Sequence, residues 1–264
     1  MRLRLGVHYE GLPGPNDYAG LVAHAREAER LGFESLWVGE RPDPAAQGIP
    51  AALLVCAVLA AATERVRIGT AVLPLPLYHP LRVAEDAATL DGLSEGRFDL
   101  GVGLGDDPAG HHGFGVPPEE RASRLEEGLA ILAQALGGSA VEFTGRHFQI
   151  AGVRVAPPAV QPGGPPIFLG AHAEVAVRRA VRLGCGLVAT EPAAASLYLS
   201  AWREAGRDPE GARIVLRVGR DADSDLLRAL AADLAGAGRL DLVLPAGADL
   251  AALAHGGALR SGAR

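Results

Sequence analysis

Glu40 and Arg41 follow the apolar run Ser35–Val38 and bring an acid and a guanidinium to the end of a strand. Arginine stays protonated, so Arg41 cannot exchange a proton; it can pair with Glu40 or hold an anionic substrate or phosphate. Proton traffic there would need another group, such as His8, which follows the first strand, or His111 and His112. Gly101-Val-Gly-Leu-Gly105 is a loop through which backbone can approach a planar ligand closely, although such loops are also frequent in plain turns. Gly170-Ala-His-Ala-Glu174 ends a strand and opens a helix, where free N–H groups attract phosphate; a plain helix start reads the same. Glu85 shares a helical face with Leu81, Ala84 and Ala88 and is expected to point inward. Buried there, its carboxylate would position a cofactor or pair with Arg67 or Arg97.

Composition removes several chemistries. All 25 basic residues are arginine, so lysine Schiff bases and the P-loop lysine are absent. Scattered histidines without a His-Glu-x-x-His pattern and only two cysteines argue against zinc. Glu40, Asp106 and Glu191 lack the fixed spacing of a carboxylate metal site. A net charge of −6 without like-charge blocks, together with few aromatics, argues against a nucleic-acid partner. No apolar run reaches the roughly 18 residues of a membrane span, and the N-terminus lacks a signal-peptide pattern, so the cytoplasm is expected. Cys56 and Cys185 sit in apolar surroundings and read as core residues.

The elements that must position these residues follow a strand–helix rhythm. Strands are expected at Leu3–Val7, Ser35–Val38, Val66–Val72, Arg97–Gly103, Ile167–Gly170, Gly186–Ala189, Arg213–Val218 and Leu240–Leu244. Helices alternate with them, including an all-apolar one at Ala51–Ala62 after a Pro-rich loop and one at Pro80–Asp91. Between the fourth and fifth strands lies an excursion: a helix with the stripe Leu125, Leu129, Leu132 and Leu136, then a hairpin over Val141–Ile150. A final helix from Asp249 frays at Arg260–Arg264. This rhythm predicts one domain over 1–264, a (β/α)8 TIM barrel, with an open doubly wound sheet as the rival. Ligands of parallel α/β proteins bind at the carboxyl edge of the sheet, where all the stretches above except Glu85 end.

The motifs WVGE (Trp37–Glu40), RIGTAVLPLPLYHPLRVAE (Arg67–Glu85) and LDGLSEGRFDLGVGLG (Leu90–Gly105) resemble the bacterial luciferase-like monooxygenases. FGVPPEER (Phe114–Arg121), FTGRHF (Phe143–Phe148) and PPAVQPGGPPIFLG (Pro157–Gly170) fit in the same order, so the resemblance covers residues 3 to 190. It implies a barrel that binds reduced FMN, or the deazaflavin coenzyme F420, at its carboxyl edge, commonly as a homodimer. Carried over by match, Gly103, Leu104, Gly105 and Asp106 line the coenzyme, and Ala71-Val72 is a bend with a cis peptide. Gly170, Ala171, His172 and Ala173 receive its phosphate, with glycines and serines of the family replaced by His172 and Ala173. Arg41 stands where catalytic members resembling this chain carry histidine, and the lid-like excursion of longer members is missing after Gly219-Arg-Asp221.

The function so implied is a flavin-dependent oxidoreductase, reduced flavin and oxygen acting on a small organic substrate. Two rivals stand beside it: hydride transfer by coenzyme F420, and a non-catalytic flavin-binding or scaffold barrel, which the Arg41 departure and the altered phosphate loop favour.

Overall fold

Eight short strands close into a parallel barrel in the computed structural model, which describes residues 2–41 and 48–255. In chain order these are β1 (Arg2–Tyr9), β2 (Ser35–Val38), β3 (Arg67–Thr70) with a two-residue extension β4 (Leu73–Pro74), and β5 (Phe98–Gly103). A hairpin, β6 (Val141–Thr144) and β7 (Gln149–Val153), stands apart. Then come β8 (Ile167–Gly170), β9 (Gly186–Ala189), β10 (Arg213–Arg217) and β11 (Arg239–Pro245). The sheet runs β3-β2-β1-β11-β10-β9-β8-β5, and the pairing of Ile68 with Phe98 and of Gly69 with Asp99 closes it. The open doubly wound rival is thereby ruled out.

The helices are α1 (Tyr18–Arg30), α2 (Ala52–Ala62), α3 (Pro80–Leu93), α4 (Pro108–Gly113), α5 (Arg121–Leu136), α6 (Glu174–Leu183), α7 (Pro192–Glu204), α8 (Ser224–Asp233) and α9 (Leu250–His255). The expected stripe of α5 is buried at all four leucines. This helix packs beside α3 as the barrel's own fourth helix, so the true addition is the hairpin after it and the short α4 before it. The expected third strand, Val66–Val72, is interrupted at a cis Ala71–Val72 peptide. The Pro-rich loop after Arg41 and the fraying tail at Arg260–Arg264 lie outside the described residues.

Period-2 alternation sorts each strand into an outer and an inner face. Outward, Val7, Leu36, Ile68, Leu100 and Leu240 pack under the helices. Inward, the side chains form three layers. The floor is ionic: Arg67, Asp99, Arg239, Asp241 and Arg4. Above it Trp37 and Phe168 meet edge to face at 5.4 Å, with Val188, Val215 and Val243 around them. Two indole- and phenyl-sized rings fit inside because their neighbours are glycines: a Cβ at Gly69 or Gly186 would lie 2.4 Å from the Trp37 or Phe168 ring. The third layer opens at the carboxyl end and holds the site.

Candidate functional site

A cavity of about 790 Å³ sits over that aromatic layer, lined from the carboxyl ends of the barrel strands other than β11. Ala71 and Val72 form one wall, and Gly103 faces them closely; a Cβ there would lie 2.6 Å from Val72 Cγ2. Leu104, Gly105 and Asp106 carry that wall to the rim, with Gly105 in the left-handed region at φ 73°. His111 sits behind this loop, outside the cavity lining, and its ring Nε2–H donates to Leu104 O at 3.0 Å. It is therefore a prop for the loop, and neither it nor the exposed His112 reaches the cavity.

The adjoining wall is Gly170, Ala171, His172 and Ala173, which lead from β8 into α6; β8 pairs directly with β5, and a Cβ at Gly170 would lie 3.1 Å from Val72 Cγ1. Ala173 caps this helix without a side-chain hydrogen bond, so the first-turn N–H groups have no capping side chain. His172 Nδ1 lies 3.2 Å from Thr190 Oγ1. Arg121, the first residue of α5, lines the same end of the cavity. The two helices are joined by Arg179 and Glu126 at 2.8 Å, and Arg121 shares the cavity lining with the residues that open α6. The Arg121 guanidinium has no ion-pair or hydrogen-bond partner among the described residues.

The other charges of the cavity differ in how they are held. Arg41 reaches the rim and pairs with Asp106 at 3.2 Å, not with Glu40. Arg217 pairs with Glu10 across the mouth. Glu40 instead accepts a hydrogen bond from the Tyr78 hydroxyl at 2.5 Å and from the Ala52 amide at 2.9 Å. Burial raises its pKa to about 7, while those two donors oppose the shift. His8 is buried, and its Nε2–H donates to Ala71 O at 3.0 Å. Burial first, and Arg217 next, lower its pKa to about 3. Neutral and hydrogen-bonded at physiological pH, the His8 ring lines the cavity and supports its Ala71 wall.

Glu85 is the clear correction. Its side chain is 42% exposed, pairs with Arg82 at 2.9 Å, and lies outside the cavity lining. The inward face of α3 is made by Val83, Ala84, Ala87 and Ala88, which rotates Glu85 to the rim of the helix. Its expected partners are engaged elsewhere: Arg67 with Asp99, and Arg97 with the carbonyls of Ala60, Thr63 and Val66. Sequence reasoning also missed Arg121, Arg217, Glu10 and Tyr78. Arg121 carried a signal, because a cation in the first turn of a helix opposes the dipole and is unfavourable unless an anion is to be met there. Among the described residues no three His, Cys, Asp or Glu side chains gather to hold a metal ion, and no helix is long and apolar enough to cross a membrane.

Comparison with known proteins agrees with the barrel fold. A monooxygenase named for 4-hydroxyprotoasukamycin, from Streptomyces nodosus subsp. asukaensis, is 40% identical over 110 residues, covering 42% of this chain and 30% of the relative. An F420-dependent glucose-6-phosphate dehydrogenase of Beutenbergia cavernae is 35% identical over 186 residues, covering 67% and 54%. The chain thus spans about half the length of most of the curated relatives it matches. Among solved structures, the monooxygenase RslO1 of Streptomyces bottropensis superposes with a TM-score of 0.79 at 21% identity, over 96% of this chain and 95% of that one. An F420-dependent secondary alcohol dehydrogenase superposes with a TM-score of 0.76 at 17% identity, over 96% and 98%. The profile of the luciferase-like monooxygenases matches residues 2–229, and the chain belongs to that family.

Proposed function

We propose that the protein is an oxidoreductase whose cavity takes reduced FMN, with coenzyme F420 as the second reading because the relatives include F420-dependent dehydrogenases. The observation that carries this is the shape and chemistry of the cavity. Its volume suits a tricyclic ring, one wall is bare backbone at Gly103, and both an unpaired guanidinium and the residues that open α6 line it. Gly103, Leu104, Gly105 and Asp106 would lie along the ring, and the α6 N-terminus with Arg121 would take the phosphate. Arg121 supplies the charge that His172 and Ala173 do not. When bound, the coenzyme supplies the redox chemistry, and the protein orients it, excludes water and holds a small organic substrate at the mouth.

Titration of the purified protein with reduced FMN, oxidised FMN and F420 tests the reading. Arg121→Ala is expected to weaken binding of the phosphate-bearing coenzyme by about 10- to 100-fold, the loss of one charge-assisted hydrogen bond of about 1.5–3 kcal/mol. Oxygen-dependent turnover supports the flavin reading, anaerobic hydride transfer with F420 supports the second, and no binding of either leaves only the barrel.

The protein also reads as a homodimer acting in the cytoplasm. α2 turns Leu54, 71% exposed, and Val58 outward one turn apart, an apolar stripe on a helix that is apolar all round. Cys56 and Cys185 are both free and buried, as suits a reducing compartment. Light scattering is expected to give twice the chain mass for the native protein and the chain mass for Leu54→Glu/Val58→Glu.

A further inference from the structure

Glu40 differs from every other acid of the cavity in having no cation. Glu10 is tied to Arg217 and Asp106 to Arg41, both at the exposed rim. Glu40 lies deeper, and among the described residues its partners are a hydroxyl and an amide. The amide belongs to Ala52, the first residue of α2, so the positive end of an 11-residue helix meets the carboxyl. The hydroxyl belongs to Tyr78, on the turn that leads from β4 into α3. The neighbouring titratable groups cannot take its place. Arg41, next in the chain, keeps its charge and turns to Asp106; Cys56 on α2 is buried with its thiol pKa pushed well up; Asp86 on α3 is partly exposed and pairs with Arg82. His8 is held neutral against Ala71.

We propose that Glu40, backed by Tyr78 and the Ala52 amide, is the group that takes up and gives up a proton inside the cavity, in place of the fixed charge of Arg41. The inference rests on the coenzyme reading above. In the acid form, the Glu40 carboxyl O–H donates its proton to an acceptor in the cavity. The carboxylate left behind is held by the Tyr78 O–H and the Ala52 N–H, and the reverse transfer restores the acid. Burial, which disfavours the charged form, against two donors, which favour it, leaves the balance close to neutral pH.

Infrared difference spectra of the coenzyme-free protein between pH 5.5 and 8.5 test this directly. A protonated-carboxyl band that titrates with a midpoint near 7 is expected in the native protein, and its loss is expected in Glu40→Gln. Tyr78→Phe removes a donor that favours the carboxylate, so the midpoint should move upward. A midpoint in the ordinary carboxylate range, or a band that persists in Glu40→Gln, would overturn the proposal. The link to the cavity is tested by counting protons with an indicator dye as FMN binds. Exchange greatest near neutral pH and abolished in Glu40→Gln is the expected result; binding with no Glu40-dependent exchange would overturn it. Failure of FMN and F420 to bind would remove the proposed function while the infrared titration still stood. A midpoint in the ordinary range with coenzyme bound would remove only Glu40.

Discussion

Asp99→Ala is expected to lower the unfolding free energy by about 3–5 kcal/mol, the cost of breaking a buried ion pair from one side. Asp99 is fully buried in the floor of the barrel. Its two oxygens accept from Arg67 Nη2 at 2.7 Å, Arg67 Nε at 2.8 Å and Arg239 Nη2 at 2.7 Å. Arg239 is also bidentate to Asp241, both contacts being 2.8 Å, and Arg4 lies 3.9 Å from the same carboxylate. The floor therefore sets three guanidiniums against two carboxylates, and removing Asp99 leaves three against one away from water. Burial alone would push the Asp99 pKa up, but Arg239 and Arg67 more than offset it and hold the carboxyl at about 2. Its stabilisation is thus present above its unfolded pKa of 3.8 and is lost as pH falls toward 2. Urea unfolding at pH 7 checks the main effect, with the slope on denaturant unchanged. A loss below about 1 kcal/mol would mean that the floor relaxes or admits water. Coenzyme affinity should be unchanged where the variant is folded, because no floor residue lines the cavity.

The second large effect is acid sensitivity from His8. Its folded pKa of about 3 lies below the ordinary value of 6.5, so between those values the unfolded chain binds a proton that the folded one does not. Stability from this residue is therefore full above 6.5 and declines as pH falls toward 3. At about 1.4 kcal/mol per unit of depression, the decline between pH 6.5 and 4.5 is roughly 2 kcal/mol. Glu40 works in the opposite sense: its raised pKa makes the fold relatively more favourable as pH drops through 7. The quantity to measure is therefore the difference between His8→Gln, which keeps an N–H for Ala71 O, and the native protein, by urea unfolding at both pH values. The difference should shift by roughly 2 kcal/mol in favour of the variant at the lower pH. A pH-independent difference would place the His8 ring in contact with water.

The strand–helix rhythm was legible because it is written in local terms. Apolar runs of strand length, the all-apolar run of α2 and the leucine stripe of α5 each report their own element. The carboxyl-end stretches were legible for the same reason, since each occupies a strand end and parallel strands share a direction. Glu85 failed where helical spacing alone was used. Ala84 and Ala88 are buried as expected, yet the buried face is centred between them and Val83 and Ala87, so Glu85 lies at its edge and its carboxylate turns to Arg82.

By itself, then, the order of residues determined the barrel, the edge that carries the cavity and the backbone character of its wall at Gly103, because periodicity and glycine act over a few neighbours. Charge partners were decided only in three dimensions. Arg41 is 65 residues from Asp106, Glu40 is 38 from Tyr78, and Asp99 is 140 from Arg239. Closure of the barrel brings each pair together, and the burial that sets Glu40 near neutrality and His8 far below it exists only after closure.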